Sequence, residues 1–319
     1  MVWLLKTRAE TVGFIGGNME NIYLNYPVHT LEGECVLPAG QSLSHEVIGQ
    51  LIAGGSRPAS RKLLSFGTVL RDLDSFLRSP PYSTIFDDPQ QLDALLGRLS
   101  TVEIIDPVLE SLEYFKEQDF HTYRHILMVF LLSSFLAGLL VVEQDAWTQE
   151  TVVGPAHDFG KICIPLGVLT KRTALTQDER QRLKHHPLAG YVLLAYYYGD
   201  ANHLAPRVAR DHHEKRDGSG YPRGITDIDP MVEIVAVSDV YDALISPRPY
   251  RLESYDNRTA LEYLTQMAED GKFSWEPVRG LVAQNRIDKP DFRTFPLSLE
   301  KRGVEPAGNL YGVTAKSSG

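Results

Sequence analysis

Residues 122–142 read TYRHILMVFLLSSFLAGLLVV, and this segment determines how the rest of the chain must be arranged. The 17 residues from Ile126 to Val142 carry no charge, and their number lies at the short edge of the range for membrane spans. A helix that is apolar on every side is also typical of the centre of a helical domain. Because Arg124 and His125 adjoin this segment and the sequence has no second one like it, we predict a core helix and no membrane span.

The sequence after residue 106 shows mainly helical patterns and few that alternate like strands. Thr176 and Glu179 have the spacing of a capping box, which predicts a helix that begins there and continues to about Tyr198. Pro206 suits the first turn of a helix, because its missing N–H needs no partner there. The other predicted helices are Leu109–Lys116, Thr122–Val142, Thr148–Phe159, one from Pro206 through His213, Val232–Ile245 and Asp256–Glu269. These patterns predict a mainly α fold.

The first 105 residues differ in pattern from the rest. Residues 26–55 read YPVHTLEGECVLPAGQSLSHEVIGQLIAGG, in which Gly and Pro separate short apolar pieces before a helical pattern starts at Ser44. The Pro- and Ser-containing stretch at residues 79–88 is predicted to be a connector. We therefore expect a small mixed α/β module of unknown role (1–105), a helical domain (106–285) and a C-terminal tail (286–319).

Composition limits the classes of function. The chain has 319 residues and a net charge of −9, which argues against broad binding to DNA, RNA or an anionic membrane. Its two cysteines, Cys35 and Cys163, form no CxxC pair, so a reducing compartment fits better than a disulfide framework. The N-terminus lacks the pattern of a signal peptide. We expect a cytoplasmic protein.

Histidines and aspartates are placed beside apolar helical segments. A single buried His is usually a hydrogen-bonded core residue, and a single His-Asp pair means little. Asp239 is more informative, because burying an unpaired carboxylate in an apolar helix is costly. Imidazole and carboxylate together are ligands for divalent Fe, Mn and Zn. The candidates are His125, His157, Asp158, His186, His212, His213 and Asp239.

Three motifs resemble those of one family. HDFGK at 157–161, HHEKRDGSGYP at 212–222 and SDVYDALISPRPYR at 238–251 are similar to the HD-GYP family of bacterial phosphodiesterases, a branch of the HD phosphohydrolase superfamily. The HHExxDGxGYP pattern is long and specific. TYRH at 122–125 and IPLGVLTK at 164–171 follow the order of the family. The resemblance covers about residues 106–285 and implies an HD-type helical bundle.

The resemblance implies a centre of two divalent ions, usually iron or manganese. The first ion would be held by His125, His157, Asp158 and Asp239, and Asp158 would bridge to a second ion held by His186, His212 and His213. His186 is preferred to His185 because it directly precedes Pro187. Members with three ions have a Glu one helical turn before the first His. This chain has His121 there, on the same helix face as His125, so His121 is the candidate position for a third ion and a site of two ions is the default expectation.

The resemblance also implies a substrate, cyclic di-GMP, hydrolysed to linear pGpG or further to GMP. Two metal ions lower the pKa of a water placed between them, and nearby cations stabilise the charge on phosphate. Other proteins of cyclic di-GMP signalling would be the natural partners. The candidate catalytic residues are Asp158 and Lys161. The candidate substrate contacts are Lys161, Asp217, Gly220, Tyr221, Asp242, Arg248 and Arg251.

Three alternatives remain open from the sequence. The substrate could be another cyclic dinucleotide, such as a mixed GMP–AMP ring. The chain could instead be a signalling module that binds the nucleotide without turnover, although a complete ligand set argues against this. A di-iron oxygenase is the third alternative, because some His- and Asp-rich helical domains have that activity.

Overall fold

The structure is a computed structural model that describes residues 19, 22–140, 151–248 and 253–307. Two short antiparallel pairs of strands lie in the N-terminal third: β1 (Val28–His29) with β2 (Cys35–Leu37), and β3 (Ser60–Lys62) with β4 (Glu103–Ile105). The helices are α1 (His45–Ala53), α2 (Val69–Leu77), α3 (Tyr82–Ile85), α4 (Pro89–Leu99), α5 (Asp106–Gln118), α6 (Phe120–Leu140), α7 (Leu166–Leu169), α8 (Gln177–Leu183), α9 (His186–Tyr198), α10 (Leu204–Asp211), α11 (Pro230–Ile245), α12 (Asn257–Glu269) and α13 (Trp275–Gln284). The predicted mainly α fold with a small mixed module is confirmed.

The apolar segment forms α6 at the centre of the helical part. Helices α2, α5, α11 and α13 and the 3₁₀ turn Thr151–Ala156 pack around it. Helix α6 is long and apolar enough to cross a membrane, but most of it is buried inside the chain. Its side chains from His125 to Ala137 are all buried, including those of Ser133 and Ser134. This burial agrees with the predicted core helix, since surrounding helices take the place that lipid would have.

The Thr176 capping box is present, but its helix is shorter than predicted. The hydroxyl of Thr176 accepts from the Glu179 N–H, and the Glu179 carboxylate accepts from the Thr176 N–H. Helix α8 then ends at Leu183, and α9 starts at His186 with Pro187 in its first turn. Proline has no N–H to donate and crowds the preceding turn, so one continuous helix to Tyr198 is excluded. The break places His186 at the first residue of a new helix.

Two other predicted helices differ from the structure. Of the predicted helix Thr148–Phe159, residues 148–150 lie outside the described residues, and Thr151–Ala156 and Phe159–Cys163 are 3₁₀ turns. Gly154, Pro155 and Gly160 disfavour a regular α-helix here. Helix α10 ends at Asp211, so His213 lies beyond the helix that was predicted to include it. Both differences occur where the metal-ligand candidates are located.

The N-terminal part shares one hydrophobic core with the helical part. Buried side chains from Met19 to Leu281 form one cluster. The stretch at 79–88, predicted to be a connector, instead forms the short helix α3, whose Tyr82 and Ile85 are at most 1% exposed. The division at residue 105 coincides with the end of β4, and the proposed domain boundaries stay a prediction.

Candidate metal centre

Two groups of three side chains lie close together at the centre of the helical part. In each group the candidate ligand atoms all lie within 4.8 Å of one another. The first group is His125 from the start of α6, His157 from the loop between the 3₁₀ turns and Asp239 from α11; the second is His186 from α9 with His212 and His213 from the end of α10. Five separate segments of the chain therefore converge on one place.

Asp158 lies between the two groups. Its Oδ2 is 3.3 Å from His157 Nε2 and 3.6 Å from His125 Nε2. Its other oxygen, Oδ1, is 3.4 Å from His186 Nε2. The carboxylate thus presents one oxygen to each group, which is the geometry that a ligand shared between two cations requires.

The orientation of four imidazole rings is set by the nitrogen that faces away from the centre. His157 Nδ1 is 2.6 Å from the Gly154 carbonyl, His186 Nδ1 is 2.7 Å from the Leu183 carbonyl, and His212 Nδ1 is 2.9 Å from the Ala209 carbonyl. A carbonyl only accepts, so each Nδ1 donates a proton. His125 Nδ1 donates to the Asp242 carboxylate over 2.6 Å. In neutral rings each Nε2 then carries a lone pair that points into the centre.

These lone pairs face one another at distances that favour a cation between them. His186 Nε2 is 3.3 Å from His212 Nε2 and 3.2 Å from His213 Nε2. In His186 and His212 the protons are on the far side, so their Nε2 atoms cannot hydrogen-bond to each other. Within the described part of the chain, His157 Nε2 and Asp158 Oδ1 are buried without a hydrogen-bond partner. Buried polar atoms without partners are costly, and divalent ions would satisfy all of them.

The pKa shifts of His186, His212, Asp158 and Asp239 favour the forms that bind metals. For His157, burial lowers the pKa, but Asp158 raises it above its ordinary value. Burial lowers the pKa of His186 to about 3 and that of His212 to about 4, so both rings are neutral at neutral pH. Burial alone would raise the pKa of Asp158, but Lys161 and His157 hold it well below its ordinary value. Burial also opposes ionisation of Asp239, yet the hydrogen bond and charge of His125 keep its pKa low. Neutral imidazoles and ionised carboxylates are the forms that coordinate metals.

Part of the sequence that carries these side chains resembles a known domain family. Residues 134–274 match the family model described as HD domain. This part of the chain is similar to HD domains. The resemblance to HD-GYP proteins is confirmed as well, and HD domain phosphohydrolases are metal-dependent. The two groups of His and Asp side chains in this chain offer ligand atoms close enough together to hold a metal ion.

Curated relatives cover different shares of the chain. The "Cyclic di-GMP phosphodiesterase response regulator RpfG" of Xanthomonas campestris is 44% identical over 138 residues, which are 41% of this chain and 36% of that protein. "Cyclic di-GMP phosphodiesterase PA4108" of Pseudomonas aeruginosa is 34% identical over 250 residues, 77% of this chain and 57% of that protein. "3'3'-cGAMP-specific phosphodiesterase 3" of Vibrio cholerae is 37% identical over 136 residues, 41% of this chain and 28% of that protein. The chain therefore spans well under two thirds of each relative.

Lys161 and Tyr221 lie beside the two ligand groups. Lys161 Nζ is 2.6 Å from Asp158 Oδ2, and its side chain is 14% exposed. The Tyr221 ring stacks on His213 with centroids 4.7 Å apart and planes at 21°. Lys184 Nζ lies 4.9 Å from the centroid of the same ring. The contact with His213 places the Tyr221 ring against a candidate ligand.

Gly220 allows its loop to pack closely on the residues after the His pair. A Cβ at Gly220 would lie 2.4 Å from Glu214 Cα and 2.4 Å from Lys215 N, so any side chain would displace the backbone. Glu214 is fully buried and accepts from the N–H groups of Arg223 and Ile225. Glu214 thus orders the loop by accepting from two of its backbone N–H groups.

Other predicted residues lie away from the ligand groups. Asp217 is exposed and accepts from the N–H and hydroxyl of Ser219 in its own loop. His121 is exposed on α6 and belongs to neither ligand group of the described residues. Arg248 is close enough to Asp242 to lower the pKa of that carboxyl. Arg251 lies outside the described residues.

Asp242 requires a correction, because the prediction of a substrate contact does not fit its position. Its side chain is 0% exposed and lies behind His125, where it accepts from His125 Nδ1. Burial raises the pKa of Asp242, but the hydrogen bond and charge of His125 and the charge of Arg124 lower it well below its ordinary value. A carboxylate in this position orients the imidazole and cannot reach a substrate in the centre.

Sequence reasoning missed a buried ion cluster beside the His pair. Asp211 pairs with Arg210 at 2.8 Å and with Arg223 at 2.7 Å, and all three side chains are at most 7% exposed. Arg223 belongs to the loop after the GYP motif, so the cluster joins that loop to the end of α10. In the sequence, Arg210 and Asp211 are two of many charged residues in the RDHHEKRDG stretch, and such a run of charges is typical of a solvent-exposed surface.

Proposed function

We propose that this protein is a phosphodiesterase that hydrolyses cyclic di-GMP with two divalent ions, iron or manganese. The observation that carries the proposal is the convergence of two groups of ligand candidates on the two oxygens of Asp158. Cyclic di-GMP is proposed because relatives that align with this chain carry that activity in their names. The product would be pGpG or GMP.

The proposed ligands are the seven residues predicted from the sequence. His125, His157 and Asp239 would hold one ion, His186, His212 and His213 the other, and Asp158 would contact both. Bound ions would lower the pKa of a shared water and neutralise charge on the phosphate. The rings fixed through Nδ1 keep each Nε2 aimed at the centre, and their burial excludes bulk water from it.

The remaining side chains would bind the substrate. Lys161 would place a positive charge beside Asp158, where the negative charge of the scissile phosphate increases. Tyr221 and the adjacent Lys184 would line the approach to His213 and suit a guanine ring and a phosphate, respectively. Gly220 would hold Tyr221 in place. Arg248, Arg251 and Asp217 stay candidate contacts from the sequence.

The test is metal analysis of anaerobically purified protein together with a turnover assay. We expect about two equivalents of Fe or Mn and release of pGpG or GMP from cyclic di-GMP. Binding of cyclic di-GMP without product under reducing, metal-replete conditions would contradict the proposal and favour a non-catalytic binding module.

A mixed cyclic GMP–AMP is the second candidate substrate. Relatives named as specific for 3'3'-cGAMP match this chain at 33% and 37% identity, compared with 34% and 44% for two relatives named as cyclic di-GMP phosphodiesterases. The two rings differ in one purine, so the phosphodiester chemistry is the same. Turnover of both dinucleotides, measured under the same conditions, distinguishes the two candidate substrates. Turnover of the mixed ring alone would overturn the choice of cyclic di-GMP.

Lys161→Ala is expected to reduce turnover while the metal content stays unchanged. Removing one preorganised cation from a developing charge costs on the order of 10²-fold in kcat. The measurement is kcat with metal content determined on the same sample. Lys171→Ala is the matched control, because Lys171 pairs with Glu179 away from the centre and is not a ligand neighbour. An unchanged kcat in Lys161→Ala would show that Lys161 has no role in turnover and is an ordinary surface lysine.

Three wider proposals accompany the activity. The catalytic unit would extend over about residues 106–285, preceded by the module of residues 1–105 and followed by the tail of residues 286–319. The protein would act in the cytoplasm, where cyclic dinucleotides are signals. Its partners would be other proteins of that signalling system.

A further inference from the structure

A side chain of the N-terminal part, Tyr82, contacts the carboxylate of Asp242 behind His125. Tyr82 is the first residue of α3, inside the stretch that the sequence suggested was a connector. Its ring is 1% exposed, and its hydroxyl donates to Asp242 Oδ1 over 2.5 Å. These residues are 160 positions apart in the sequence. The family match begins at residue 134, so Tyr82 lies outside it.

Asp242 is held on both of its oxygens. Oδ2 accepts from His125 Nδ1 at 2.6 Å. Oδ1 accepts from Tyr82, from Ser246 Oγ at 2.8 Å and from Arg124 at 3.3 Å. Three donors on one oxygen fix the plane of the carboxylate, and this plane sets the direction of the imidazole of His125. Tyr82 supplies the shortest of the three bonds.

Helix α3 is fixed on the helical part from two sides. The Tyr82 ring meets Tyr241 edge-on with centroids 6.4 Å apart. Lys289, which follows α13, donates to the carbonyls of Ile85 at 3.1 Å and Gln284 at 2.8 Å. The position of Tyr82 is therefore determined by contacts that have no part in metal binding, and it is not free to follow Asp242.

We propose that Tyr82 is a positioning residue of the metal centre, acting through Asp242 on His125. The inference rests on the proposed function, because it assumes that His125 is a metal ligand. It gives the N-terminal part a role at the candidate metal centre: a displacement of α3 would remove the shortest of the three hydrogen bonds to Asp242 Oδ1 and so hold His125 less firmly. A role in core packing alone would not depend on the hydroxyl group.

The test is Tyr82→Phe in the full-length chain, which removes the hydroxyl and keeps the ring. We expect Mn(II) affinity, measured by electron paramagnetic resonance of the free ion, to fall. The loss should be about 3- to 10-fold, below the roughly 10- to 100-fold typical of partners that touch a ligand directly. At low Mn(II) the kcat should fall in parallel while KM for the dinucleotide stays constant, and excess Mn(II) should restore kcat.

Tyr123→Phe is the matched control. Tyr123 is also 1% exposed, and its hydroxyl donates to a carboxylate, Asp72 Oδ2 at 2.7 Å, that is not hydrogen-bonded to a ligand candidate. Its Mn(II) affinity should equal that of the wild type, even if its melting temperature falls as much as that of Tyr82→Phe. Equal Mn(II) affinities in both variants and the wild type would overturn the inference.

The two proposals fail in different ways. Wild-type protein that binds Mn(II) but hydrolyses no cyclic dinucleotide contradicts the proposed function, whereas the comparison of Mn(II) affinities still decides the role of Tyr82. Wild-type protein that binds no Mn(II) or Fe(II) overturns both. Active wild-type protein with an unaltered Tyr82→Phe variant overturns the role of Tyr82 alone.

Discussion

Asp158→Ala is expected to abolish hydrolysis and to lower the metal content. This carboxylate lies within 3.6 Å of ring nitrogens in both groups, through Oδ2 toward His125 and His157 and through Oδ1 toward His186. Its loss removes the group shared by the two proposed ions, so several kcal/mol of charge stabilisation disappear and kcat falls by more than about 10³-fold. The measurement is kcat for cyclic di-GMP with Fe and Mn content determined on the same preparation.

An exposed aspartate provides the control for this substitution. Asp178 on α8 pairs with Arg182, and its side chain is 65% exposed, so Asp178→Ala should keep wild-type activity and metal content. Its melting temperature should change little, since surface ion pairs contribute about 0–1 kcal/mol. Metal content and rate that survive in Asp158→Ala would show that this residue does not join the two ions.

The convergence of the ligand candidates could be predicted only through the motifs. Periodicity placed His125 at the start of an apolar helix and Asp239 within another, but it gives no distance between residues 114 positions apart. The long HHExxDGxGYP pattern supplied that connection. The structure shows what orients three of the rings toward the centre. Each Nδ1 proton is donated to a carbonyl three residues earlier in the chain, at Gly154, Leu183 and Ala209.

The role of Asp242 could not be predicted from local sequence. Asp239 and Asp242 are one helical turn apart, and helical spacing places both on the same side of α11. Which of them faces the centre depends on the side from which α6 approaches. The structure shows that His125 lies between them, with Nε2 3.0 Å from Asp239 Oδ1 and Nδ1 2.6 Å from Asp242 Oδ2. The role of Tyr82 could not be predicted either, because a stretch that contains Pro and Ser, such as residues 79–88, resembles a surface connector.

The second substitution with a large expected effect is Gly160→Ala, which acts on the backbone beside Asp158. A Cβ at Gly160 would lie 2.0 Å from the carbonyl oxygen of His186 and 2.4 Å from the Gly190 nitrogen. These are backbone atoms of α9, so the clash can be relieved only by moving the 3₁₀ turn away from the helix. Overpacking of this kind lowers the free energy of unfolding by about 1–3 kcal/mol, and clashes with backbone atoms lie at the upper end of that range.

The displacement would also change the centre, because Asp158 and Lys161 lie on either side of Gly160 while His186 starts the helix that it touches. Gly160→Ala is therefore expected to lower the melting temperature by about 2–4 °C for each kcal/mol lost and to lower the metal content as well. Thermal unfolding with and without added Mn(II) measures both effects. Gly167→Ala is the control: a Cβ there meets nothing within 4 Å, and alanine is the better residue in α7. If Gly160→Ala unfolds at the wild-type temperature and retains its metal, the close approach of the turn to α9 does not set the position of Asp158.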